Sequence, residues 1–368
     1  MIKVFGSNTG KEELQQIEES IQNEWLGPGP KMSEFETIFK QKINCANFLM
    51  IDNASNGLYM ALKLLDLPPG SEVIVPSFTW IACAHAISMC DCKPVFCDVD
   101  LNTQNITAKL IEPLLTINTK AIIVVHYAGL PANMTEILGF NIPVIEDAAH
   151  AVDSKYNGTH CGTIGDIGVY SFDSMKNVAV GEGGGLTCRT NQIIERAERM
   201  RLCGIGASSF KHSSIVNNRW WEQEPSEVFI KMTPSDISAC LAIAQITKLE
   251  AHQQYRKSIW DQYQQELENI GDLVLPVDVD SDSSSKHSYF TFLLRTKKRD
   301  ELAFYLRNKS IYTTLRFFPI HLMKIYKTSQ KLKNVEELSE TALNIPLHPA
   351  LSQNDVGRII QEIKTFFS

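Results

Sequence analysis

Two residues with reactive side chains stand near the predicted carboxyl ends of apolar strands. Lys176 follows the strand at 168–171 and precedes the glycine cluster at 181–185, where the backbone must turn tightly. Asp147 directly follows the strand at 143–146. A lysine amine can form an imine with the aldehyde of pyridoxal phosphate (PLP), and a carboxylate can pair with the protonated ring nitrogen of that cofactor. The two residues therefore predict a PLP site in which Lys176 and Asp147 are catalytic.

Both residues also have a common structural interpretation. Most lysines lie solvated on the protein surface, and an aspartate in this position can cap the helix that follows it. The position of Lys176 between a strand and a glycine cluster favours the functional interpretation for the lysine. For Asp147, position alone leaves capping and cofactor binding equally open.

Further contacts that PLP requires have candidates in neighbouring segments. His150 lies one turn beyond the aspartate and can reach the phenolic oxygen of the cofactor. Ser55 and Asn56 open a helix whose free N–H groups and dipole favour phosphate, and Ser171 adds a hydroxyl. Trp80 offers a flat surface for the ring. A satisfied structural histidine, a plain helix cap and a core tryptophan are the competing interpretations.

Composition bounds the class of protein. The 368 residues suffice for a large core and two lobes, and 44% hydrophobic with 21% charged residues is typical of a globular protein. A net charge of −7 without a basic stripe argues against nucleic-acid binding. No apolar run is long enough to span a bilayer, so no membrane partner is predicted.

The cysteines indicate reduced thiols rather than disulfides or a metal site. Nine are scattered along the chain without a C-x-x-C pair, and no signal-peptide pattern precedes them. The spacing of Cys90, Cys92 and Cys97 matches no common zinc site, so no metal is predicted. We therefore expect a cytoplasmic protein.

Helices and strands alternate through most of the chain. Helices are predicted at 11–23, 32–43, 53–65, 80–89, 107–114 and 235–268, and strands at 48–52, 72–76, 94–98, 121–126, 143–146, 168–171 and 186–189. Alternation with continuously apolar strands predicts an α/β fold with a mostly parallel sheet that is covered on both faces. Ligands of such sheets bind beyond the carboxyl ends of the strands, where the candidate residues fall.

The regular alternation of predicted helices and strands ends in the second half of the chain. Residues 204–232 form a long polar stretch of the kind that is functional or lies at an interface. We place the boundary between lobes within the long helix, which gives a large PLP-binding domain at 1–245 and a smaller C-terminal α+β domain at 246–368. Strands near 288–295 and 311–315 are predicted in the smaller domain, with a last helix from 353.

With these residues in place, the chain resembles the DegT/DnrJ/EryC1/StrS family of sugar aminotransferases almost end to end. The segments that carry the resemblance are GPGP at 27–30 with the following Phe35-Glu36, PSFTW at 76–80, EDAAHA at 146–151, GTIGD at 162–166 with the lysine segment to 184, and LNIPLHP at 343–349. The combination is specific, although each piece alone is not.

The resemblance implies a fold type I, PLP-dependent enzyme. It makes Lys176 the imine-forming lysine, Asp147 the partner of the ring nitrogen and His150 the contact of the phenolic oxygen, with Trp80 stacked on the ring. Ser55, Asn56 and Ser171 would hold the phosphate. Relatives with histidine in place of the lysine are dehydratases, so the lysine favours transamination.

The sequence departs from the family pattern in three places. Asn53-Ala54-Ser55 replaces the usual Ser-Gly-Thr before the phosphate helix. Lys231 stands near the usual Asn that reaches the phosphate of the neighbouring subunit. Either Lys231 or another cation of the 204–232 loop replaces this Asn, or the phosphate has one fewer partner. Arg219 lies in the part of that loop that varies across the family.

The family implies an activity and its partners. We expect amino transfer from L-glutamate to a nucleotide-linked keto-sugar, a 4-keto-6-deoxy sugar in preference to a 3-keto sugar, for surface polysaccharide. Arg219, Arg316 and His321 are the candidate substrate contacts, and the 204–232 loop predicts a homodimer with shared active sites. Another PLP reaction on the same fold, or a PLP-binding protein without catalysis, remains an alternative.

Overall fold

The computed structural model describes residues 1–205, 224–326 and 328–368. Its α-helices are α1 (Lys11–Gln22), α2 (Pro30–Lys42), α3 (Ala54–Leu64), α4 (Ala82–Met89), α5 (Ala108–Ile111), α6 (Met134–Leu138), α7 (Asn191–Arg201), α8 (Asp236–Leu267), α9 (Arg299–Asn308), α10 (Lys333–Thr341) and α11 (Gln353–Phe367). Its strands are β1 (Phe48–Ile51), β2 (Glu72–Pro76), β3 (Lys93–Cys97), β4 (Thr119–Val125), β5 (Val144–Asp147), β6 (Lys155–Tyr156), β7 (Thr159–His160), β8 (Ile167–Ser171), β9 (Gly184–Cys188), β10 (Phe292–Arg295) and β11 (Ala342–Ile345).

A seven-stranded sheet in the order β1-β9-β8-β5-β4-β2-β3 forms the centre of the molecule. The strands from β8 to β3 pair in parallel, whereas β9 runs antiparallel between β8 and β1. The central strands are buried along their length, as strands covered by helices on both faces must be. The predicted mixed α/β class with a mostly parallel sheet is confirmed.

The smaller C-terminal region is less regular than predicted. The strand predicted at 288–295 begins only at Phe292 and pairs with β11. Residues ahead of it bond to a loop instead, because Phe290 N donates to Ala128 O at 2.9 Å. The strand predicted at 311–315 is wrong, since Ile311 and Thr314 form only isolated bridges.

The long helix α8 contributes to two separate cores. Near its start, Ala239 and Ala242 pack with aromatic residues of α2 and β8. Near its end, Trp260 and Tyr263 belong to a cluster formed with β10, β11 and α11. The position of the predicted lobe boundary within this helix stays a prediction.

Within the described residues, no helix is both long enough and apolar enough to cross a lipid bilayer.

Candidate active site

A cavity of about 430 Å³ opens at the carboxyl ends of the parallel strands. Most of the side chains selected from the sequence line it. These are Ser55, Trp80, Asp147, His150, Ser171, Lys176 and Arg316. They come from strand ends, helix starts and the C-terminal region, so the fold brings together residues that are far apart in the chain. Cavities at this position are the common ligand sites of parallel α/β sheets.

Lys176 lies on a tight turn that follows β8. Its backbone N–H donates to Asp173 O at 2.9 Å, and the Asp173 carboxylate accepts from Met175 N at 2.9 Å. The amine lies 5.0 Å from the centroid of the Phe290 ring. Burial and the positive charge of Arg316 lower the pKa of the Lys176 amine to about 7. Near neutral pH a large fraction of this lysine is therefore the uncharged nucleophile.

Asp147 ends β5 and points into the cavity with only 6% of its surface exposed. Its Oδ1 accepts a hydrogen bond from Ala149 N at 3.0 Å, and its Oδ2 accepts from the Cys83 thiol at 3.2 Å. Neither donor is a cation. The carboxylate is thus held in place and keeps lone-pair capacity for a further cationic partner, such as a protonated ring nitrogen.

His150 forms part of the wall beside these two residues. Its ring stacks on Phe290 at a centroid distance of 4.1 Å and is only 4% exposed. Its Nδ1 has no hydrogen-bond partner among the described residues. Burial, with the positive charges of Lys176 and Arg316, holds the pKa of His150 well below its ordinary value. A buried, neutral imidazole with an unpaired nitrogen suits a polar ligand atom.

The start of α3 offers a cradle for an anion. Asn53 caps the helix by accepting from Asn56 N at 2.9 Å. The amides of Ala54 and Ser55 lie in the first turn, where a helix provides no acceptor for them. Gly184 of β9 packs against this turn, because a Cβ there would lie 2.8 Å from Ala54 N.

The departure from the family pattern at Ala54 leaves this cradle intact. Ala54 is the first residue of α3, and its φ is not among the positive values found in the chain. An L-residue with a side chain can adopt that backbone conformation without strain. The cradle therefore does not depend on a glycine at this position.

Two further cavity residues differ in how they are held. Trp80 has 56% of its surface exposed, which leaves the ring accessible for stacking. The Arg316 guanidinium lies 4.2 Å from the Phe5 centroid and 4.4 Å from the Phe290 centroid. Its Nε is buried without a hydrogen-bond partner, and no carboxylate pairs with it within residues 1–205, 224–326 and 328–368. A partly buried cation that packs against aromatic rings and has an unpaired, buried Nε suits an anionic ligand.

Not every predicted residue reaches the cavity. The Asn56 side chain donates to Asp52 Oδ2 at 2.7 Å, and His321 Nδ1 lies 2.7 Å from Ser77 Oγ. Both side chains are thereby engaged outside the cavity lining. Lys231 is exposed, forms an isolated β-bridge with Leu202 and does not line the cavity. Arg219 lies outside the described residues.

Three residues that contribute to the site were not selected from the sequence. Asp173 holds the lysine turn, and its side-chain bond two residues onward is a turn signal that the sequence does carry. Cys83 and Phe290 carried no local signal. Both look like ordinary core residues, and only the packing of distant segments gives them contacts with Asp147 and His150.

The residues present fit PLP. The cavity holds an amine of lowered pKa, a carboxylate with spare lone-pair capacity and a buried imidazole nitrogen without a partner. The start of α3 has free backbone amides that can bind the phosphate. Together these groups meet the binding requirements of a phosphorylated, heterocyclic aldehyde.

The sequence is similar to known proteins of an aminotransferase family, which fits the chemistry of this cavity. The profile of the DegT/DnrJ/EryC1/StrS aminotransferase family matches residues 7–364. A dTDP-4-dehydro-2,3,6-trideoxy-D-glucose 4-aminotransferase of Saccharopolyspora spinosa is 32% identical over 99% of this chain and 96% of its own length. The spore coat polysaccharide biosynthesis protein SpsC of Bacillus subtilis is 31% identical over 96% of this chain and 94% of its own length.

A solved structure extends the likeness to three dimensions. The crystal structure of the aminotransferase TlmJ from Streptoalloteichus hindustanus superposes with a TM-score of 0.93 at 33% identity, over 99% of this chain and 98% of the other. The family resemblance and the fold type I architecture expected from the sequence are confirmed. The family is PLP-dependent, so the predicted cofactor is confirmed as well.

Proposed function

Since this chain belongs to the DegT/DnrJ/EryC1/StrS aminotransferase family and is thus a sugar aminotransferase, we propose that it aminates a nucleotide-linked keto-sugar with L-glutamate as the amino donor. The main support for the proposal is that Lys176 and Asp147 line the same cavity. Burial and the charge of Arg316 lower the pKa of the amine to about 7, and the buried carboxylate forms no salt bridge with a described residue. An uncharged lysine and a free buried carboxylate are the two groups that PLP-dependent amino transfer demands.

The chain's own residues then have defined tasks. When bound, PLP supplies an electron sink that makes the carbon next to the transferred nitrogen acidic. Asp147 holds a proton on the ring nitrogen, and the uncharged Lys176 amine takes a proton from that carbon or returns it. His150 contacts the phenolic oxygen, while Ser171 and the amides of Ala54 and Ser55 hold the phosphate.

The substrate class is proposed from the chemistry of the walls and from the relatives. The Arg316 guanidinium offers an unpaired cation to a carboxylate of the donor or to the anionic group of the sugar nucleotide. The 4-aminotransferase relative supports a 4-keto-6-deoxy sugar, with a 3-keto sugar as the alternative, and SpsC supports a role in surface polysaccharide synthesis. Arg219 stays a proposed substrate contact. His321 stays one for a conformation in which its ring leaves Ser77.

We also propose a homodimer in which each chain completes the other's site. Large apolar side chains of α1 are exposed, with Leu14 67% and Ile21 58% accessible, and Val228 is fully exposed. A second copy would bury such surface. In this arrangement Lys231, which lies outside its own cavity, is proposed to reach the partner's phosphate site. Sedimentation of an active monomer would contradict the dimer.

The nine free thiols support a cytoplasmic location, since reduced cysteines are typical of reducing compartments.

The test begins with the cofactor. Purified protein supplied with PLP should absorb at about 410 nm or about 330 nm, and borohydride should fix the cofactor on Lys176, as lysine-imine chemistry requires. Peptide mass mapping would locate the attachment. Attachment to another lysine would overturn the assignment of Lys176.

The donor and the acceptor are tested next. Glutamate alone should change the absorbance and release 2-oxoglutarate in an amount equal to the enzyme. A panel of nucleotide-linked keto-sugars, read by mass spectrometry, should then identify one that gains an amino group. No spectral change with glutamate would exclude it as the donor, and loss of water without gain of nitrogen would replace transamination by dehydration.

A further inference from the structure

A buried thiol contacts the carboxylate that faces the ring position of the cofactor. Cys83 lies in the first turn of α4 and is 0% exposed. Its Sγ lies 3.2 Å from Asp147 Oδ2, within the hydrogen-bond range of sulfur. These residues are 64 positions apart in the chain. The contact therefore joins the helix after β2 to the end of β5.

The direction of this hydrogen bond follows from the two groups. A carboxylate only accepts, so the thiol must donate. Burial and the negative charge of Asp147 raise the pKa of Cys83 well above its ordinary value, so the proton stays on sulfur. Thr79 Oγ1 lies 3.6 Å from the same sulfur and can donate to it. Thr79, Cys83 and Asp147 thus form a chain of donors that ends on the carboxylate.

We propose that Cys83 is a positioning residue that fixes the Asp147 carboxylate toward the ring nitrogen of PLP. Ala149 N holds the Oδ1 atom, and the thiol holds Oδ2, so rotation of the carboxylate about its own bond breaks both contacts. The role toward PLP rests on the proposed function, whereas the thiol–carboxylate bond does not.

The position of the thiol adds a second consequence. Thr79 is next to Trp80, whose ring is exposed in the cavity. The hydrogen bonds from Thr79 to Cys83 and from Cys83 to Asp147 therefore link the segment of Trp80 to the Asp147 carboxylate. A thiol is also a weaker donor than a hydroxyl, so it orients Asp147 while leaving more of its negative charge for the cofactor.

The bond itself is tested without cofactor. The infrared S–H stretching band of Cys83 is isolated as the difference between the protein and its Cys83→Val variant. It should lie at lower frequency than the Cys97 band, obtained in the same way from Cys97→Val. Cys97 is equally buried, and its thiol makes no hydrogen bond to any described residue. Asp147→Ala should move the Cys83 band toward the Cys97 position. A Cys83 band that already coincides with the Cys97 band would overturn the proposal.

The consequence for the cofactor is tested with PLP carrying a ¹⁵N label in the ring. The nitrogen chemical shift reports whether the ring is protonated. Cys83→Val, which replaces the thiol donor by methyl groups, should shift this signal toward the unprotonated position and raise the PLP dissociation constant about threefold to tenfold, as loss of one hydrogen bond implies. Cys83→Ser should restore the signal, and Cys97→Val should leave it unchanged.

A merely structural role for Cys83 predicts a different pattern. Cys83→Val would then keep the nitrogen signal, and any loss of stability would be shared by Cys97→Val. That pattern overturns the proposal. If no variant or parent protein binds PLP, the proposed function fails and the cofactor role of Cys83 fails with it, while the infrared band still reports the bond.

Discussion

The two faces of β5 at its carboxyl end carry neighbouring buried carboxylates with opposite surroundings. Behind the sheet, Glu146 is 0% exposed and accepts from His126 Nε2 at 2.8 Å and from three backbone amides of the loop 162–165 at 2.6, 2.7 and 2.8 Å. On the cavity side, Asp147 accepts only from a backbone amide and a thiol. Every oxygen of Glu146 is satisfied twice, whereas Asp147 retains unused capacity.

This difference separates a structural acid from a functional one. Ala132 N donates to His126 Nδ1, so the His126 proton lies on Nε2 and points at Glu146. Behind the sheet, the oxygens of Glu146 and both ring nitrogens of His126 all have hydrogen-bond partners within the protein, so they need no ligand. On the cavity side the unpaired His150 nitrogen and the unpaired Arg316 nitrogen accompany Asp147. Buried polar groups without partners are rare in stable folds, and a cluster of them indicates a ligand site.

The largest effect is expected from Lys176→Ala, which removes the reacting amine from the cavity side. Turnover should fall about 1,000-fold or more, because both the nucleophile and the proton carrier are lost. The free energy of unfolding should not fall, since no hydrogen bond of the amine to another described residue is broken. Steady-state assays and urea unfolding measure the two quantities. Turnover at an undiminished rate would remove Lys176 from the mechanism.

The next largest effect is expected when the acid on the cavity side is changed to its amide. Asp147→Asn keeps the shape of the side chain and its contact with Ala149, but it removes the charge. Turnover should fall about 100-fold, as expected when one preorganised electrostatic contact is lost. Stability should change by less than about 1 kcal/mol. A drop in stability with normal turnover would make Asp147 a structural residue.

The same change behind the sheet should give the reverse result. Glu146→Gln turns an NH₂ group toward hydrogen-bond donors, either the His126 N–H and Gly162 amide or the amides of Ile164 and Gly165. The free energy of unfolding should fall by about 3 kcal/mol, the cost of leaving buried donors unsatisfied. Denaturant titration measures this loss, and the enzyme that remains folded should keep most of its turnover. Equal free energies of unfolding for Asp147→Asn and Glu146→Gln would contradict the distinction between a structural Glu146 and a functional Asp147.

The smallest effect concerns pH and the charge on Lys176. Burial and Arg316 lower the pKa of this amine to about 7, and only its uncharged form attacks an aldehyde. The rate of covalent PLP capture by cofactor-free protein should therefore rise as pH increases through about 7 and level off above it. Arg316→Gln removes a positive charge that disfavours the protonated amine, so the midpoint should move to higher pH. Stopped-flow absorbance gives both profiles, and an unshifted midpoint would show that the two cations do not interact.

Much of the site was predictable because several of its reactive residues lie in short, recognisable sequence patterns. Lys176 before a glycine cluster and Asp147 after an apolar strand are local patterns, and they fall on the same edge of any parallel sheet. His321 shows the limit of that argument. His321 was a candidate substrate contact, but Ser77 Oγ lies 2.7 Å from its Nδ1 and the side chain does not line the cavity.

The alternation of helices and strands, and the places of the reactive residues at strand ends, follow from the amino-acid sequence alone. The reason is that periodicity and turn chemistry act over a few residues. Which side of β5 is fully hydrogen-bonded and which can accept a ligand depends on the packing of distant segments. That packing also brings Cys83 to Asp147 across 64 positions and Phe290 to His150, Lys176 and Arg316. Such contacts depend on how distant segments pack, and no local pattern of residue types encodes the distance between them.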